Sequence, residues 1–135
     1  MHAAKTTFAA YFFDYHTSQS NKAEKTPPQI YDLPLSDGVK AESQCIYWKN
    51  QFNEVTVMCD CTVQQGTSNI AFAMLPDGFR PAVRSIFDAS MNSTETGRVG
   101  GRSIDVFPNG QLNFYTPYTT SDYRFWGRCK FIAMN

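Results

Sequence analysis

From Glu54 to Gln64 the chain alternates, with Val55, Val57, Cys59, Cys61 and Val63 separated by Glu54, Thr56, Met58, Asp60, Thr62 and Gln64. Successive side chains of a strand point to opposite faces, so this period-two pattern predicts an extended segment whose apolar face carries both cysteines. Runs rich in β-branched and aromatic residues predict further strands at Gln44–Lys49, Asn69–Leu75, Ala82–Ala89, Val99–Phe107, Gln111–Tyr115 and Tyr123–Ala133, with turn-forming residues between them. No confident helical pattern intervenes. The expected fold class is all-β: a small antiparallel β-sandwich, jelly-roll-like, or a small barrel, of about seven or eight strands.

Two stretches test that pattern in detail. In "SIDVFPNGQLNFY", a two-residue Asn109-Gly110 turn would set Val106 against Asn113 and mix polar with apolar on both faces. A three-residue loop of Pro108, Asn109 and Gly110, with Gly110 left-handed, instead pairs Val106 with Leu112 and Ile104 with Phe114. In "NIAFAML", Ile70, Phe72 and Met74 point one way and Ala71, Ala73 and Leu75 the other, so both sides are expected to need cover. The N-terminal arm or a second copy of the chain would supply it, which makes oligomerisation an expectation. Ahead of the strands, Phe8, Tyr11, Phe12 and Tyr15 fit helical spacing or a short strand equally, and the polar, Pro27-Pro28-containing stretch from Thr17 to Gln29 reads as a linker or exposed arm. The expected division is an N-terminal arm or shoulder, residues 1–32, and a head domain, residues 33–135.

Composition narrows the chemistry. The length of 135 residues suits one domain with one core. Twelve basic and twelve acidic side chains cancel, which disfavours nucleic acid and anionic membranes as partners. The burst Phe8–Phe13 is too short for a membrane span or a secretory core, so a soluble chain without a targeting segment is expected. Residues two apart on a strand hold their side chains roughly 6.5–7 Å apart, too far for Cys59 and Cys61 to bond. A zinc site would need Cys45 and Cys129 as well, and the Cys-x2-Cys knuckle is missing. The favoured reading is four free thiols filling the core, with no metal and no cofactor. His2 and His16 lie near no nucleophile motif, and "GRVGGR" (Gly97–Arg102) lacks phosphate-loop spacing and reads as a turn or bulge. Asn92, Ser93 and Thr94 form a glycosylation sequon, relevant only in a secreted eukaryotic chain.

The string Leu75, Pro76, Asp77, Gly78, Phe79, Arg80, Pro81 resembles the Leu-Pro-Glu-Gly-Tyr-Arg-Pro turn of C-terminal head, or receptor-binding, domains of bacteriophage tail fibre and baseplate proteins. Upstream, "LPLSDGV" and "IYWKNQFNEVTVMCDCTV" are similar to the entry segment and long alternating strand of those domains. Downstream, "IDVFPNGQLNFY" and "YRFWGRCKFIA" sit where they carry a hairpin and a closing aromatic strand, so the resemblance runs from Leu33 to Asn135. The prolines stiffen both ends of the turn, Asp77 and Gly78 supply the reversal, Phe79 is placed to plug the end of the sandwich, and Arg80 to bond loop carbonyls or a carboxylate. These are scaffold roles.

The resemblance implies a β-sandwich head, commonly a homotrimer, that belongs to a virion tail or baseplate, contacts other tail proteins and binds a host-surface glycan without catalysis. It implies synthesis in the bacterial host cytoplasm without a signal peptide. Within "YTPYTTSDYRFW", five aromatics lie among Thr, Ser, Asp122 and Arg124, a mixture suited to sugar: ring faces cover the apolar side while polar groups bond hydroxyls. Tyr118, Asp122, Tyr123, Arg124 and Trp126 are the expected contacts, with Phe125 in the core. A purely structural trimerisation domain is the alternative, and a glycan-degrading tail enzyme, which needs two converging carboxylates, is third.

Overall fold

The computed structural model describes residues 26–64, 69–117 and 119–134. Nine strands lie among them: β1 (Tyr31–Asp32), β2 (Val39–Ala41), β3 (Ile46–Lys49), β4 (Glu54–Val63), β5 (Ile70–Met74), β6 (Ser85–Ser93), β7 (Gly97–Val106), β8 (Gln111–Tyr115) and β9 (Tyr123–Ile132). All pairings are antiparallel, in the order β1-β3-β4-β9-β6-β7-β8-β5, with β2 on the far half of β4. The segment after β1 meets β5 through a Leu35–Ala73 bridge and the bonds Ser36 N–H to Phe72 O (2.8 Å) and Met74 N–H to Pro34 O (3.2 Å). The sheet is thus rolled until its two edges meet, an all-β, sandwich-like fold.

Alternation decides what the roll encloses. Val55, Val57, Cys59, Cys61 and Val63 of β4 are all buried, as their spacing predicts. Beside them, Phe114 stacks on Phe125 with centroids 4.1 Å apart, and Phe72 meets Phe125 edge-on at 4.8 Å. Ile46 and Trp48, on the other face of β3, join Ile30 and Met58 in a smaller cluster outside the roll. Ile30 and β1 are therefore packed parts of the domain. The expected arm of residues 1–32 is described only from Thr26 onward, and the aromatic stretch Phe8–Tyr15 lies outside the described residues.

The β7–β8 hairpin has the anticipated register, Val106 opposite Leu112 and Ile104 opposite Phe114, with Gly110 at φ +94°. Three elements differ from expectation. The strand expected at Ala82–Ala89 runs Ser85–Ser93, because Ala89, Met91 and Ser93 face inward and Ala89 and Met91–Ser93 are paired on both sides, by β7 and β9, overriding the low strand propensity of Asn and Ser. Gly97–Arg102, expected as a turn or bulge, carries the bulge, since register slips opposite Ser90 and Gly101 sits at φ +70°, but it does so within a strand that starts at Gly97, two residues before the expected Val99. The two-faced reading of β5 also fails. A bulge between Ala71 and Ala73 turns both Phe72 and Ala73 inward, leaving Ala71 and Met74 exposed. Phe72, Ala73 and Leu75 are thus the residues that this stretch buries.

The seven-residue turn is bound into the scaffold. Arg80 Nε donates to Leu75 O (2.8 Å) and its Nη1 pairs with Asp77 Oδ1 (2.9 Å), while Lys49 Nζ donates to Gly78 O (2.8 Å). Phe79 meets Tyr47 edge-on at 5.0 Å and Tyr31 at 5.7 Å, closing that end of the roll. Pro81 bridges to Ala133 just beyond β9.

Candidate functional site

At the opposite end, β9 begins. Tyr123, Phe125, Cys129 and Phe131 are buried, so the intervening Arg124, Trp126 and Arg128 face outward. Pairing places Thr62 of β4 and Asn92 of β6 on either side of Arg124, and Arg98 of β7 beyond Asn92. The next outward row is Asp60, Trp126 and Ser90. Arg124 reaches diagonally to Asp60, with Nε to Oδ1 and Nη2 to Oδ2 both 2.7 Å. Such a bidentate pair fixes the guanidinium plane. Ser43 Oγ donates to Asp60 Oδ2 at 2.8 Å, and Thr62 Oγ1 donates to Glu42 Oε2. The Arg124 bonds hold the Asp60 carboxyl below the usual carboxylate range, partial burial opposes this, and Ser43 adds to it.

The β6–β7 hairpin and the loop between β8 and β9 complete this end. Gly97, at φ +69°, closes the hairpin opposite Ser93, and the Thr96 N–H donates to Ser93 Oγ (3.0 Å). Glu95 at the tip accepts Thr119 Oγ1 (2.6 Å) and Thr120 N–H (2.8 Å), bonds that lower its pKa, Thr119 first. Thr116 N–H donates to Asn69 Oδ1 (3.1 Å), tying the start of the same loop. Between these parts lies an open groove of about 400 Å³ lined by Thr62, Asn92, Ser93, Thr94, Asp122, Tyr123 and Arg124.

Of the five expected contacts, Asp122, Tyr123 and Arg124 line the groove. Trp126 lies one outward position further along β9, half-buried, with the Arg98 guanidinium 4.9 Å from its ring centroid. Tyr118 lies outside the described residues. Tyr123 differs from expectation: its ring is 2% exposed and packs 5.8 Å from Phe114, so it has no free face to offer a ligand. Burial pushes its hydroxyl up to about 12 and leaves it with no hydrogen-bond partner. Thr62, Asn92, Ser93 and Thr94 were not anticipated. Only the sequon drew attention to the last three, and nothing local to β6 shows that it will lie beside β9.

The arrangement supplies hydroxyl, amide, carboxylate and guanidinium groups around a shallow surface, with an indole alongside. Asp60, its carboxyl held low, is poorly suited to donate a proton as a general acid. Among the described residues no three His, Cys, Asp or Glu converge as a metal site. The four cysteines are buried and none is in a disulfide. Burial raises the pKa of Cys59 and pushes Cys129 up to about 12.

Fold and groove together define an all-β, sandwich-like domain with a polar, aromatic-flanked depression at one end. The crystal structure of the receptor binding protein (gp15) of Listeria phage PSA is similar, with a TM-score of 0.59 and 15% identity over 98% of this chain and 79% of that one. At that identity the likeness is one of fold. No protein-family profile and no curated protein sequence matches the chain.

Proposed function

We propose that this chain is a head domain of a bacteriophage tail or baseplate protein, carried in the virion, and that its groove binds a host-cell-surface saccharide without catalysis. The observation that carries the reading is the convergence of Thr62, Asn92, Asp122 and Arg124 on one open groove beside Trp126. Hydroxyl-rich rings are held by such planar polar groups, and an indole covers their apolar face. The fold shared with a phage receptor binding protein supports the biological setting.

The molecule is also two-ended, which supports docking onto other tail proteins or a homotrimeric arrangement. Phe52, Val83, Ile132 and Met134 are exposed at 54–72%, all near the end of β9 remote from the groove. Nine steps along β9 separate the two ends by about 30 Å. A structural, non-binding virion domain would use this apolar end and ignore the groove. Pull-down with protein-stripped bacterial cell envelopes separates the readings. Retention lost in Trp126→Ala and Arg124→Ala supports binding, and absence of wild-type retention on every envelope and glycan tried refutes it.

A further inference from the structure

We propose that Cys45 and Cys61 are a redox modification site, forming an intramolecular disulfide when the folded chain meets a small disulfide oxidant such as oxidised glutathione. Their Sγ atoms lie 3.3 Å apart, and a disulfide needs about 2.05 Å. Sequence spacing hides this pair, because Cys61 sits on β4 while Cys45 closes the crossover loop, residues 42–45, by which the chain moves from β2 to β3 along the same strand. The other two thiols are placed differently: Cys59 Sγ points to Gly127 O at 3.6 Å, and Cys129 is fully buried.

The two sulfurs have unequal roles. Cys45 keeps 7% exposure beside the exposed Glu42, Ser43 and Gln44, whereas Cys61 has none. The Asp60 N–H donates to Cys45 Sγ at 3.4 Å, and the Cys61 thiol is in position to donate to it as well. The Cys61 hydrogen bond, and then the backbone at Asp60, lower the Cys45 pKa against the opposing effect of burial, while the same contact and burial raise that of Cys61. Cys45 is the first nucleophile. Its thiolate attacks one sulfur of oxidised glutathione, forming a mixed disulfide and expelling a glutathione thiolate, which takes up the proton that Cys45 released. Cys61 then gives up its proton, attacks Cys45 Sγ and expels the second glutathione as thiol. Two protein thiols lose two electrons and one glutathione disulfide becomes two thiols. The bond pins the loop whose Ser43 and Glu42 contact Asp60 and Thr62 beside the groove.

The test equilibrates the full-length chain with oxidised glutathione at about pH 8, quenches with acid, then counts free thiols after denaturation and maps peptides without reduction. Two of the four thiols should be lost, a single peptide pair should join Cys45 to Cys61, and the melting temperature should rise by about 10 °C. Cys59→Ser should still lose two thiols, and Cys45→Ser, on the surface loop, should form no link. Four surviving thiols, a stable glutathione adduct as the end product, or a link through Cys59 or Cys129 would each overturn the proposal. The wild-type peptide map decides the matter if a variant fails to fold.

Discussion

Gly110 shows how much one residue can carry. Its φ of +94° suits the three-residue loop that the register of Val106 with Leu112 demands, and that much is legible in the sequence. A second constraint is not: a Cβ there would collide with the Leu75 carbonyl oxygen and the Arg80 side chain, partners brought in by another loop. Gly110→Ala should cost about 2–4 kcal/mol in denaturant unfolding, more than a left-handed backbone alone explains. Asp60 carries the electrostatic counterpart. Its folded pKa is depressed by Arg124, so the ion pair stabilises the protein above the unfolded carboxylate value of about 3.9 and the contribution is lost as pH falls through the lower, folded value. With Arg124 half-exposed, solvent screening limits the contribution to about 0.5–1 kcal/mol. Urea titrations from about pH 5 down to 2 should show this acid-dependent loss in the wild type and not in Asp60→Asn.

At the scale of elements, strong alternation was readable and pairing was not. β8 has the bounds that its pattern gives and β4 ends one residue short of its own, at Val63, because each carries an unbroken period of two. β1 and β2, two and three residues long, are too short to show any period, and exist through pairing with β3 and β4. The bulge in β5 is likewise invisible in "NIAFAML", where every residue after Asn69 is apolar. β9 held more information than its first reading used: if Phe125 faces the core, so does Tyr123 two residues earlier, which leaves Arg124 and Trp126 as the outward pair. The groove was the least legible feature, since Thr62, Asn92 and Asp122 meet only after three elements pair. Glu95 ties two of those elements together, so Glu95→Gln should speed amide exchange at Thr119–Ser121 in hydrogen–deuterium exchange while leaving the β4–β9 core protected.

At the scale of the whole molecule, polar chemistry and exposed apolar surface lie at opposite ends of β9. The seven-residue turn belongs to the apolar end, where Lys49, Tyr47 and Ala133 bind it into the scaffold. The turn's residues are therefore structural, and the groove is built from residues elsewhere, of which only Asn92, Ser93 and Thr94 form a motif, the sequon. If the apolar end docks onto other copies or tail proteins, Phe52→Ser combined with Ile132→Ser should weaken association in light scattering and leave saccharide binding unchanged. The most direct test of the central claim is retention of the purified chain on protein-stripped envelopes of candidate host bacteria, compared with Trp126→Ala and Arg124→Ala. The account predicts wild-type retention that soluble envelope polysaccharide competes away and that falls at least about tenfold in both variants, a loss of roughly 1.4 kcal/mol. Equal retention of all three proteins, with their folds intact, would contradict it.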